Sequence, residues 1–255
     1  MARSQLALNP WLTALVFGLT LLAWEVGVRW AGVPVYLLPA PSVVLHTLIA
    51  RFTSDYLAAT LITVGEALGG LAIGSAAAIA LALGITFWPR LEGGVMSIAI
   101  LIKSMPLAAI APLLTIWLGF GWQPKVVIAA LLVFFPMLVN LVAGLRALDP
   151  AKLEHMRAWH ANRWQELRYL RVPHCAPYFF AALKVTAPLA LIGAVVAEWA
   201  GASGGLGRIM WLAYTNLNLP LMFAAIFILS GVGIGLYGLI AALERRIVFW
   251  ANPEV

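Results

Sequence analysis

Six long apolar runs decide what this chain can fold into. They lie at roughly 11–30, 58–87, 94–118, 125–146, 176–200 and 219–243. Each reaches or exceeds the roughly 20 residues that a helix needs to cross the hydrocarbon of a bilayer. A backbone in lipid must pair its own N–H and C=O groups, which leaves helical bundles or closed barrels. Barrel strands alternate apolar and polar residues, and these runs do not. Composition agrees: 63% of residues are hydrophobic and 10% charged, against about 25% charged in soluble domains. The expected fold is an all-α membrane protein of about six spans. One transmembrane domain, 1–255, is expected, with a first span at 11–30 and a core at 58–246.

The run from Trp11 to Val28 is too long for a signal-peptide core, so it reads as an uncleaved first span. The stretch 33–55 is less apolar. It carries Pro34, Pro39 and Pro41 and reads as a surface segment before the second span. Cys175 is the one cysteine, so neither an intrachain disulfide nor a CxxC metal site is expected.

The net charge of +6 does not point to nucleic acid, because the basic residues sit beside the spans. With the N-terminus inside, ten fall on the cytoplasmic side: Arg3, Arg90, Arg146, Lys152, Arg157, Arg163, Arg168, Arg171, Arg245 and Arg246. Four fall outside: Arg29, Arg51, Lys125 and Arg208. Lys103 and Lys184 lie within spans. The positive-inside rule then puts both termini and the long fourth loop, 149–172, in the cytoplasm.

That loop carries helix signals. Asp149 suits an N-cap and Pro150 the first helical position. Leu153, Met156, His160 and Trp164 recur at spacings of three and four, giving one semi-apolar face. The segment is either an amphipathic helix lying on the membrane or a helix that enters a groove of a cytosolic partner. Gly70 with Gly74, and Gly231 with Gly235, form G-x-x-x-G pairs that permit close helix approach.

Within the third run, Lys103-Ser104-Met105-Pro106 and Pro112 predict a bend. Lys103 would lie about 15 Å into a straight span. There it lines a pathway, pairs with an acid, or snorkels along the kink. Glu66 and Glu198 fall near the outer ends of the second and fifth runs, as interfacial, packing or pathway-lining acids. After Glu198 and Trp199, the stretch Gly201 to Gly207 is too rich in glycine for a regular helix. It reads as an outer loop or a re-entrant turn, with Ser203 at its centre.

Enzyme signatures fail. Gly201-Ala202-Ser203-Gly204-Gly205 matches G-x-S-x-G, but no histidine follows His174. His155 and His160 are five apart, not the four that one helix face needs for zinc. No phosphate-binding G-x-x-x-x-G-K-[ST] loop is present.

Leu38-Pro39-Ala40-Pro41-Ser42, Lys103 to Pro106, Trp117-Leu118-Gly119-Phe120-Gly121, Gly144 to Pro150, Asn162-Arg163-Trp164 and Gly193 to Gly207 carry a family likeness. The chain resembles the transmembrane permeases of bacterial binding-protein-dependent ABC importers, in the nitrate, sulfonate, taurine and pyrimidine-precursor branch. The resemblance covers most of the chain. It implies the type I importer fold, with a coupling helix between the fourth and fifth spans. In that family this loop is the EAA motif, which sits in a groove of the cytosolic ATPase. The motif's Glu falls on Glu154, its alanines on His155 and Met156, and its glycine on His160. Arg157, Ala161 and Asn162 complete the implied contact. Replacing the glycine by His160 is expected to stiffen or lengthen the turn after the helix.

The run Glu198-Trp199-Ala200-Gly201, with Glu66, is most similar to pyrimidine-precursor permeases. The resemblance further implies an inner-membrane, multi-pass chain that performs no catalysis, with ATP and Mg held by a partner ATPase dimer. Implied partners are that ATPase, an extracytoplasmic binding protein, lipid and a second permease copy, as a homodimer. Glu66, Lys103, Met105, Glu198, Trp199 and Ser203 are the candidate path residues. A secondary transporter would need acids near the middle of spans. A membrane enzyme would need paired acids or histidines on facing spans. Neither pattern is found.

Overall fold

The computed structural model describes residues 10–251; Arg3 and both chain ends lie outside the described residues. Every regular element among the described residues is helical. Five helical stretches among the described residues are long and apolar enough to cross a membrane, and a pair bent by 93° makes six if it is counted as one broken span.

Helix α1 is Pro10–Trp30 and α2 is Pro41–Arg51. The stretch 33–55, expected as a surface segment, thus contains a helix. Pro41 at its start has no N–H to lose. Glu25 of α1 accepts the Ser42 N–H (2.9 Å) and the Ser42 hydroxyl (2.8 Å), so a carboxylate from another helix does the capping. Val44, Leu48 and the fully buried Tyr56 pack against Ala224 and Ala225. After one wide turn at Phe52–Tyr56 the chain runs into α3, Leu57–Phe87.

Helices α4, Glu92–Ser104, and α5, Leu107–Leu118, replace the straight third span and meet at 93°. The break has a local cause. Proline disfavours helical backbone in the residue before it, and Met105 is extended (φ −69°, ψ 134°). Pro112 stays inside α5 without breaking it.

Helix α6, Gln123–Arg146, is the centre of the bundle. Ala129, Val133, Met137 and Leu138 on it are fully buried, and it packs along its length on α3 and on α9, Val172–Trp199. Gly70 and Gly74 make the α3 contact possible. A Cβ on Gly74 would lie 2.5 Å from the Ala130 carbonyl oxygen, and one on Gly70 2.9 Å from the Ala130 nitrogen. The second G-x-x-x-G pair has no such role within the chain. Gly231 and Gly235 face open space from α11, Leu219–Ile247. Gly74→Leu should therefore cost about 3 kcal/mol or more through overpacking against backbone, and folded protein on size-exclusion chromatography should fall sharply. Gly231→Leu should leave the monomer's elution unchanged. Equal losses would disprove the difference between the two pairs.

Three short helices complete the chain: α7, Pro150–Ala158, α8, Arg163–Glu166, and α10, Leu206–Thr215. Lys184, left without a partner in the sequence reading, pairs with Glu244 at 2.7 Å and ties α9 to α11.

Candidate functional site

Two constellations stand apart from the apolar bundle, one at each end. The loop end carries α7. Its start is built as the sequence predicts: Asp149 is the N-cap, its carboxylate accepts the Ala151 N–H at 2.9 Å, and Pro150 is the first helical residue. Its end differs from expectation. Leu153, Met156, His160 and Trp164 do not share one helix, because the chain turns after Ala158 and restarts at Arg163.

The turn is a Schellman motif. The His160 N–H donates to Arg157 O (2.9 Å) and the Ala161 N–H to Met156 O (3.0 Å). His160 takes the left-handed position with φ +54°, which glycine occupies at less cost. The turn is thus neither longer nor re-routed, and the imidazole is presented to solvent. Asn162 opens α8 with a reciprocal capping box to Gln165, both bonds at 2.8 Å.

Little of α7 is used inside the chain. Glu154, His155 and Arg157 are exposed, Met156 is half-buried, and Trp159 beyond the helix is 81% exposed. Glu154 has no hydrogen bond or ion pair among the described residues.

The opposite end holds a buried polar cluster. Glu198, 1% exposed at the end of α9, accepts the Thr63 hydroxyl on Oε1 (2.6 Å) and the Gly207 N–H on Oε2 (2.5 Å). Thr63 in turn accepts the Leu206 N–H at 2.8 Å. The glycine run is therefore a turn that delivers two free N–H groups of α10 to side-chain oxygens. Gly205 makes it possible, since its φ of +104° is closed to most side chains. Glu198 also meets the positive end of the α10 dipole.

Lys125, counted on the outer side in the sequence, pairs with Glu66 at this end. It is 5% exposed, 3.7 Å from Glu66 Oε1, and donates to Gly121 O (2.6 Å) and Phe120 O (3.3 Å). A buried ammonium needs such partners. Glu66 Oε2 is buried without a hydrogen-bond partner. Its residue lines a hollow of about 290 Å³ with Leu61, Gly65 and Trp122.

The structure brings Glu66 and Glu198 together and keeps Lys103 and Met105 apart from them. Lys103 falls in the last turn of α4, so the depth expected for a straight span does not apply. It pairs with no acid among the described residues, and its ammonium lies 4.6 Å from the centre of the Phe135 ring. Met105, Trp199 and Ser203 are exposed. Thr63 and Gly207 were not singled out from the sequence, although both complete the Glu198 site.

Residues 70–249 match the family model for the binding-protein-dependent transport system inner membrane component. The chain is 36% identical over 258 residues to the formylaminopyrimidine transport permease protein ThiX of Halalkalibacterium halodurans, covering 100% of both. It is 36% identical to the riboflavin transport system permease protein RibX of Chloroflexus aurantiacus, covering 91% of this chain and 87% of that one. A chain of a solved amino acid ABC transporter shares the fold. It aligns with a TM-score of 0.62 at 18% identity, over 78% of this chain and 97% of that one. The helical architecture and the match over most of the length together place this chain: it belongs to the binding-protein-dependent inner membrane components, as a permease of an ABC importer.

Proposed function

We propose that this permease carries a small heterocyclic solute of the pyrimidine or vitamin-precursor kind, and that α7 is its coupling helix. The substrate reading rests on the likeness to the formylaminopyrimidine and riboflavin permeases, each at 36% identity. A sulfonate permease of Bacillus subtilis is more distant, at 26%. The coupling reading is carried by one observation: α7 is capped at both ends, yet it leaves Glu154 and His155 exposed and Glu154 unpaired. A rigid, charged helix with nothing to hold inside its own chain suits a groove on a cytosolic ATPase pair.

In this reading two copies of the chain form the path, and an extracytoplasmic binding protein delivers the solute. ATP-driven closure of the ATPases moves the α7 helices, and the bundles rock between inward- and outward-facing states. Both termini and the loop face the cytoplasm, in line with the ten-to-four distribution of basic residues. The chain supplies path and coupling, while ATP and Mg stay on the partner.

One reconstitution tests both halves. In a Cys175→Ser, Lys152→Cys permease assembled with its ATPase and binding protein in proteoliposomes, an impermeant thiol reagent identifies the side that α7 faces. ATP added on that same side should drive uptake of a labelled aminopyrimidine or flavin from the other. Uptake of taurine alone would overturn the substrate reading. Uptake driven by an ion gradient without ATP would overturn the coupling.

A further inference from the structure

We infer that the cleft between α3 and α9 at the loop end is a binding site for one anionic phospholipid. Two hollows lie there. The first, of about 260 Å³, is lined only by apolar groups: Ile79 and Leu83 of α3, Leu141 and Leu145 of α6, and Val172 and Phe179 of α9 among them. The second, of about 200 Å³, is mainly polar and holds Arg157, Arg163 and Arg171 with Glu166.

A third hollow joins them: it shares Ala82 and Leu145 with the first and Thr86, Pro89 and Arg171 with the second, and the paired Arg146 and Glu92 complete its wall. Ile79, Leu83 and Thr86 step along one face of α3, and Thr86 is already a wall of the polar hollow. On α9 the apolar lining runs from Phe179 through Ala176 to Val172, and Arg171, the residue just before the helix, lines the polar hollow. From Ile79 to Thr86 the groove is about 10 Å long at the helical rise, enough for the upper part of an acyl chain.

Charge selects the occupant. Three arginines against one glutamate leave the polar hollow doubly positive. Arg171 is held in place by Glu166 (2.5 Å) and by Leu145 O (3.4 Å). Arg157 and Arg163 have no ion pair among the described residues. Guanidinium groups fit phosphate oxygens two at a time, and basic pockets between membrane helices at the cytoplasmic side suit anionic head groups. Trp88, 65% exposed, follows α3 between two residues of the polar hollow's lining, Phe87 and Pro89, and exposed indoles at span ends suit the head-group level. A free phosphate would use the arginines but not the groove, and a neutral lipid the groove but not the arginines. Only an anionic amphiphile uses both. Arg157 and Arg163 flank the turn after α7, so the bound head group would brace that turn against the end of α3.

The test is native mass spectrometry of the full-length permease, in complex with its ATPase where they co-purify, after exchange into mixed detergent and lipid. Wild type should retain phosphatidylglycerol in preference to phosphatidylcholine. Arg157→Gln with Arg163→Gln should weaken phosphatidylglycerol about 30-fold, from about 1 kcal/mol for each cation lost, and leave phosphatidylcholine unchanged. Val172→Trp enters the groove from an exposed rim position without touching the arginines, and should lower retention of phosphatidylglycerol while leaving the phosphatidylcholine signal at its weak level. Equal retention of both lipids by wild type would overturn the site. So would full retention of phosphatidylglycerol by the double variant. Displacement by millimolar inorganic phosphate, with Val172→Trp still binding as wild type, would mark a phosphate site and sink the amphiphile. Cross-linking of Val172→Cys to a second copy or to the ATPase at full yield would show that protein covers the groove, and would sink it equally.

Discussion

Glu154→Arg is expected to abolish ATP-driven uptake while the permease stays folded and inserted. The two halves of this expectation have separate grounds. Glu154 is exposed on α7 and makes no hydrogen bond or ion pair among the described residues, so reversing its charge removes nothing the bundle uses. Surface substitutions of that kind usually stay within about 0.5 kcal/mol. Against a partner the change is large. If Glu154 meets a cation in a buried ATPase groove, the reversal leaves that cation unpaired and adds repulsion, at about 2–5 kcal/mol. That corresponds to roughly 30-fold to several-thousand-fold weaker assembly. Co-purification of the ATPase and uptake by proteoliposomes should fall together, while the melting temperature of the isolated permease holds. Normal uptake with the ATPase assembled would remove Glu154 from the coupling contact. A drop in the permease's own melting temperature would assign Glu154 to the fold instead.

His160 shows how far the loop could be read in advance. Asp149 and Pro150 announce the start of α7 because capping is a local matter, settled within two or three residues. The end was harder. A spacing of three and four carries from Leu153 to Trp164 as if one helix ran through, because periodicity records faces and not breaks. Only the alignment of His160 with a motif glycine hinted at a left-handed residue there, and that is the conformation His160 adopts. Met105 was legible for the opposite reason, since the proline after it acts on its immediate neighbour.

The sequence counts Lys125 at the outer end of its span but does not show that it is buried there. Its partner Glu66 lies on another helix, and nothing local connects them. The same holds for α2, whose cap is supplied by Glu25 from 17 residues earlier, and for α10, whose cap comes from Glu198 behind a glycine-rich turn. Spans, which depend on local composition, were therefore visible in the sequence. The polar contacts that set the angles between them depend on pairs far apart in the chain and had to be seen.

Glu198→Ala should destabilise the permease by about 3–5 kcal/mol, the usual consequence of removing one member of a buried charged network. The loss has identifiable parts. The Thr63 hydroxyl and the Gly207 N–H lose their acceptor inside the bundle, and each unsatisfied buried group costs about 1–3 kcal/mol. The start of α10 loses the carboxylate that offsets its dipole. The melting temperature in detergent should fall by roughly 10 °C at the size scaling of a chain this long. Gly207→Ala should act through the same site from the other side. Its Cβ would lie 2.6 Å from the Val195 carbonyl oxygen and 2.7 Å from Glu198 Oε2, so α10 would be pushed off its cap. A structural role and a pathway role for Glu198 then separate in Glu198→Gln, which keeps the shape and one acceptor oxygen. Both carboxylate oxygens of Glu198 are already engaged within the chain, whereas Glu66, beside it, lines a hollow. Glu198→Gln should accordingly lower the melting temperature, with uptake falling only as far as the amount of folded protein does. A melting temperature equal to wild type, with uptake lost, would instead place Glu198 on the solute's path.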